Sequence, residues 1–232
     1  MNKNVQYDFS SIQFSSEAPS TPKFQCSRSG GDVFGYYLER LNELFQDSPL
    51  RSTENQGFST RDNAIAFCVA KDLIQDTHES LSSIGDSRRM KPGRLAYIEF
   101  WGTLQATVIQ QDALNEMHRA ITGIELSKRN LRPDYKICSQ EAWTKIRETR
   151  HQLAGHPVHK SKGSRKMRTS ISRMGLSATT AYIEQYDCVT GQTEHSFITL
   201  KTLIEPYDRL ARLAIFVIYR AMRTKWKTER VQ

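Results

Sequence analysis

The sequence predicts a mainly α-helical bundle of about five helices with a small antiparallel β insertion between the last two. Three observations carry that expectation. Long segments repeat their apolar residues at three- and four-residue intervals between recognisable start and stop signals. One stretch, about 165–200, breaks this period into short β-branched runs separated by turn residues. A late segment, 210–222, is apolar almost all round, as a centrally packed helix must be. At 232 residues, the chain can bury roughly 70% of the surface it exposes unfolded, enough for one sizeable core.

Residues 1–30 are rich in Ser, Thr, Gln and Pro without a sustained period, and read as a poorly ordered leader to a helical domain over 31–232. Gly30-Gly31 opens the first helix, with Asp32 as N-cap and Phe34, Leu38, Leu41, Leu44 and Phe45 as its apolar face; it ends before Pro49. Thr60 or Asp62 caps a second helix, whose positions Ala64, Ile65, Phe67, Cys68, Val69, Leu73, Ile74 and Leu81 carry it to Ile84, before Gly85-Asp86. A longer third helix spans about Pro92 to Thr122, with Leu95, Ile98, Trp101, Leu104, Val108 and Ile109 on one side and Leu114, Met117 and Ile121 on another. Two apolar faces imply burial on both sides, by the bundle core or by a second subunit. The fourth helix starts after Ser139, buries Ala142, Trp143, Ile146 and Leu153, and stops at Gly155-His156-Pro157. Lys166–Ser172, Thr179–Tyr186 and His195–Leu200 read as a β meander, and the final helix runs from Lys201 to Glu229.

Lysine and arginine number 33 against 25 acids, a formal charge of +8, which favours polyanionic partners, nucleic acid first. The charge is concentrated. From Thr144 to Arg173 there are Lys145, Arg147, Arg150, Lys160, Lys162, Arg165, Lys166, Arg168 and Arg173 against the single acid Glu148. Cys26, Cys68, Cys138 and Cys188 are widely spaced, reading as free thiols in a reducing cytoplasm. The N-terminus lacks the apolar run of a signal peptide, and Ala214–Tyr219 is far short of the ~20 residues that span a bilayer, so the expectation is a cytoplasmic protein without a membrane partner. Phosphate-loop, H-E-x-x-H, G-x-S-x-G and strand-led G-x-G-x-x-G motifs are missing from the sequence, which leaves the common nucleotide hydrolase, metalloprotease and serine hydrolase readings without their parts.

The most informative segment is Trp143 to Pro157, where Arg150 and His156 stand at the broken end of a helix inside this basic stretch. A guanidinium holds a phosphate and its developing charge, while an imidazole titrating near neutrality moves protons. On an unbroken helix, residues six apart point about 120° away from each other and stand roughly 9 Å apart along the axis. Gly155 and Pro157 allow His156 to turn back toward Arg150, and the negative helix end favours its protonated form. Arg147, Arg150, His151 and Ala154 share a helical face, with Arg150 at the boundary of the core face. Arg147 and His151 are therefore supporting candidates beside the pair. Lys145, Lys160, Lys162, Arg165, Lys166 and Arg168 are the candidate nucleic-acid contacts. Asp112, on the same helical side as Trp101 and Val108, either orients one of these residues or faces water.

These residues resemble the HEPN superfamily, named for higher-eukaryote and prokaryote nucleotide binding. Its helical bundles carry an Arg, a polar residue, a short spacer and a His, as Arg150-His151-(four residues)-His156 does here. The resemblance implies a metal-independent endoribonuclease without cofactor, acting on RNA as a homodimer that brings two motifs together. It also implies a toxin or antiviral defence effector with an antitoxin or regulatory partner. Arg150 would bind the phosphate and His156 would handle the 2′-hydroxyl or leaving-group proton. The family's toxins often carry a tyrosine two residues after the histidine; this chain has Val158. The β insertion lies outside the minimal bundle. A non-catalytic nucleic-acid-binding or interaction module is the alternative.

Three further features have plainer readings. His151, His156 and His159 lack the carboxylate or cysteine that would complete a metal site. The terminal run Arg220, Arg223, Lys225, Trp226, Lys227 and Arg230 reads as a solvated helix end rather than a nucleic-acid contact. Tyr182, Tyr186 and Phe197 offer stacking surfaces, but alternate burial within a small sheet explains them better.

Overall fold

The computed structural model describes residues 32–48, 55–82, 94–126, 141–154, 160–162, 165–172 and 176–228. These form α1 (Val33–Gln46), α2 (Arg61–Ser82), α3 (Arg94–Thr122), α4 (Glu141–Ala154), β1 (Lys160–Lys162), β2 (Arg165–Ser172), β3 (Thr180–Asp187), β4 (Thr193–Thr199) and α5 (Leu200–Thr228). The architecture is a helical bundle with an antiparallel sheet inserted between α4 and α5, in strand order β1-β2-β3-β4. A short strand, β1, precedes the three expected from the sequence, so the insertion begins at Lys160. The leader over residues 1–30, the stops at Ile84-Gly85-Asp86 and Gly155-His156-Pro157, and the start at Ser139 lie outside the described residues. Among the described residues no helix is long and apolar enough to cross a membrane.

Local chemistry fixes several boundaries. Thr60 rather than Asp62 caps α2, its Oγ1 accepting the backbone N–H of Asn63 at 3.1 Å. Gly123, at φ 76°, takes the left-handed conformation that closes α3, and its N–H donates to the Arg119 carbonyl at 2.7 Å.

The core is rich in aromatic rings at the α1–α2–α5 junction. Phe45, Phe58, Phe67 and Trp226 stack or tilt against one another with centroids 5.1–6.5 Å apart. Trp226 is therefore a core residue, and the Lys225 amine beside it donates to the Ile121 carbonyl at 3.3 Å. At Lys225 and Trp226 this end of α5 packs inward, where the sequence alone reads as a solvated terminus, while Arg223 is exposed as that reading expects; Arg230 lies outside the described residues.

The third helix joins the bundle through two adjacent buried amides. Gln110 Oε1 accepts the Tyr207 hydroxyl of α5 at 2.7 Å, and Gln111 Nε2 donates to the Trp143 carbonyl of α4 at 3.0 Å. Trp143 in turn tilts against Tyr207, with centroids 5.5 Å apart. Each amide bond replaces water lost on burial and fixes the axial position of α3 against a neighbour.

Two stretches of the expected apolar faces are exposed. On α2, Ile65, Val69 and Leu73 face solvent while Ala64, Phe67, Ala70, Ile74 and Thr77 are buried; on α3, Leu95 and Ile98 face solvent while Ala96, Phe100 and Leu104 are buried. The buried stripe of each helix lies one residue away from part of the predicted one. The extra apolar residues widen the hydrophobic face beyond what the neighbouring helices cover.

Candidate functional site

Core packing aims the basic face of α4. Trp143, Ile146, Thr149 and Leu153 are buried, which turns Arg147, Glu148 and His151 outward and leaves Arg150 half-buried at the boundary. Facing them, α3 supplies Gln105, Val108 and Asp112, spaced so that they share one side of that helix. The two helices meet antiparallel. Arg147 forms an ion pair with Asp112 through a hydrogen bond from its Nη2 to Oδ1, and the Arg150 Nε donates to Gln105 Oε1 at 3.0 Å. Val108, Arg147, Glu148, Arg150 and His151 line a shallow cleft of about 290 Å³.

Each contact has a chemical consequence. Gln105 takes the Nε of Arg150, the one donor on the stem side of the guanidinium. Among the described residues the terminal Nη groups form no hydrogen bond or ion pair. The planar fork is the part of the side chain suited to bidentate phosphate contact, and Arg150 lines the cleft. Asp112, by contrast, spends part of the charge of Arg147 and holds its side chain against α3. Both members of that pair are largely exposed, so it orients more than it stabilises. Glu148 places a second carboxylate at the rim.

The predicted residues thus divide into groups. Arg150, Arg147, His151 and Asp112 come together at the α3–α4 seam. Lys145 lies on the exposed side of the same helix, and Arg168 is exposed on β2. Lys160 and Lys162 belong to β1, and Arg165 and Lys166 to β2, where Lys162 pairs with Arg165 and Ser161 with Lys166 in the ladder. His156 and His159 lie outside the described residues. Among the described residues no group of three His, Cys, Asp or Glu side chains is arranged to hold a metal ion, and Cys188 is a free cysteine.

The chain matches no protein-family model, no curated protein and no solved structure.

Gln105 was not among the sequence candidates. Its signal is its place seven residues before Asp112 on one stripe of α3, opposite two arginines three residues apart on α4. A neutral amide raises no alarm in a sequence, whereas a carboxylate among apolar residues does.

The sheet also departs from its sequence reading. Along β3, Ala181, Ile183 and Asp187 are buried while Tyr182 is half-buried and Tyr186 exposed. The ladder sets Tyr182 opposite Phe197 and Glu184 opposite His195, so Tyr182, Tyr186, His195 and Phe197 share the outer face. Alternate burial of these rings is therefore wrong. Ala181 and Ile183, not the rings, belong to the buried core.

Proposed function

We propose that the protein is a metal-independent endoribonuclease of the HEPN type that holds the reacting phosphate at the α3–α4 cleft. The observation that carries this reading is Arg150: half-buried, anchored through Nε to Gln105, and lining the cleft with Arg147 and His151. A guanidinium with its stem fixed loses less freedom on gripping a phosphate than one that must first be ordered. In the proposed reaction the 2′-oxygen bonds to phosphorus as the bond to the 5′-oxygen breaks, giving a 2′,3′-cyclic phosphate and a 5′-hydroxyl. Arg150 stabilises the charge gathered on the non-bridging oxygens. His156 takes the 2′-hydroxyl proton or supplies one to the leaving oxygen, a role that rests on the sequence motif.

One observation favours a second reading, a non-catalytic nucleic-acid-binding or interaction module whose ligand sets no phosphate in this cleft: Asp112 already pairs with Arg147, and Glu148 lines the same cleft. Both carboxylates oppose a phosphate.

Cleavage of a labelled RNA in EDTA decides between them. The nuclease reading expects cleavage that persists in chelator, yields cyclic-phosphate ends, and falls by about 100-fold or more in folded Arg150→Ala and His156→Ala proteins. Cleavage abolished by EDTA, or retained in full by either variant, rejects the mechanism. RNA bound by every protein and cut by none supports the module instead.

A further inference from the structure

The outer face of the sheet carries a group of rings that the cleft does not use. Tyr182 lies nearly parallel to His195, at 9° with centroids 5.5 Å apart, and tilts against Phe197 at 4.8 Å. Phe197 is 69% exposed and Tyr186 44%. Tyr186 stands four residues along β3 from Tyr182, about 13 Å away at the usual strand rise. Rings left this open are not packing side chains: exposing them forgoes the burial that makes an aromatic worth its place in a small sheet.

What surrounds the rings narrows the choice of occupant. The same face carries Ser170 and Ser172 of β2, Glu184 of β3 and Thr193 of β4, set beside the rings by the ladder. This is not the aliphatic field that a protein partner's apolar core would require. Arg168 pairs with Tyr186 in register and is exposed. Two residues before Arg168 on β2, Lys166 stands at a register position of the same face. Flat rings beside an exposed arginine match a ligand with exposed π-faces strung on an anionic backbone. A duplex hides its base faces in its own stack and offers these rings nothing.

We propose that this sheet face is a stacking platform for single-stranded nucleic acid, with Phe197, Tyr182 and Tyr186 receiving bases and Arg168 contacting the phosphates. The platform adjoins the cleft through the chain, since β2 packs against α4 and β1 begins six residues after that helix ends at Ala154. The binding inference stands apart from the cleavage reading, because a protein without nuclease activity would bind through the same face.

The test uses the full chain and a fluorescein-labelled 2′-O-methyl 12-mer, which lacks the nucleophile for cleavage, read by anisotropy at fixed salt. Phe197→Ala and Tyr182→Ala should each weaken binding by about tenfold, and Phe197→Trp should retain it. Tyr97→Ala, which deletes an exposed ring on α3, should leave affinity unchanged. Far-ultraviolet circular dichroism confirms that each variant is folded. Unchanged affinity in both platform variants overturns the proposal, as does equal binding of the 12-mer in duplex form or no binding at low salt. A change in sedimentation mass in Phe197→Ala, with oligonucleotide affinity intact, assigns the face to a second copy of the chain and equally overturns it. Loss of cleavage in Arg150→Ala with 12-mer binding intact leaves the platform standing, so the two readings fail separately.

Discussion

The cleft on α4 and the outer face of the sheet both present cations near groups suited to nucleic acid, but they are organised in opposite ways. On α4 the arginines are held by a neighbouring helix, Arg147 by Asp112 and Arg150 by Gln105. On the sheet the rings are placed by strand register and by contact with one another, and Phe197 and Tyr186 meet solvent directly. Cross-helix anchoring gives few donors in fixed positions, as holding one phosphate requires. Register gives a broad surface tolerant of what lies on it, as binding a strand of variable sequence requires.

Substitutions separate these two kinds of order. The largest effect should come from the core beneath the cleft. Ile146 is fully buried, so Ile146→Ala should lower unfolding free energy by about 2–5 kcal/mol in a urea titration. Phe197→Ala should stay within about 0.5 kcal/mol of the parent. Equal losses would mean that the sheet rings belong to the core after all. Next comes the anchor: Gln105→Ala should reduce RNA turnover about tenfold while leaving 12-mer affinity near the parent value, because it frees the stem of Arg150 without removing its charge. Turnover at the parent rate would show that the fork needs no anchoring. The smallest effect belongs to Asp112→Asn. An exposed pair contributes about 0.2–1 kcal/mol, and that difference should fade in 1 M salt, where the screening length is about 3 Å. At low salt the same variant should bind RNA somewhat more tightly, since Arg147 no longer shares its charge; weaker binding would make Asp112 a support for the ligand rather than a competitor.

Much of the fold was legible because helix periods are local. Leu38, Leu41, Ile74, Leu104, Leu114, Ile146 and Leu153 stand at the spacings that predict them and are buried. What the sequence hid was set by partners distant along the chain. Ile65 and Leu95 belong to apolar stripes, yet how far each stripe is covered depends on the width of the adjacent helices. The bonds from Arg147 to Asp112 and from Arg150 to Gln105 join residues 35 and 45 apart, beyond the reach of any helical wheel. On the sheet, alternation correctly grouped Tyr182 with Tyr186 but could not say which face the bundle would cover.

One junction has a consequence for motion. Thr199 ends β4 and Leu200 begins α5 with no residue between them, and the Leu200 N–H donates to the Thr179 carbonyl at 2.7 Å. A strand that turns straight into a long core helix leaves no swivel at that point. Tension on the ring-bearing edge is handed to α5 instead of being absorbed by a loop. Amide protons of Ile198 and Thr199 should then exchange on the timescale of α5, opening with the whole bundle rather than ahead of it.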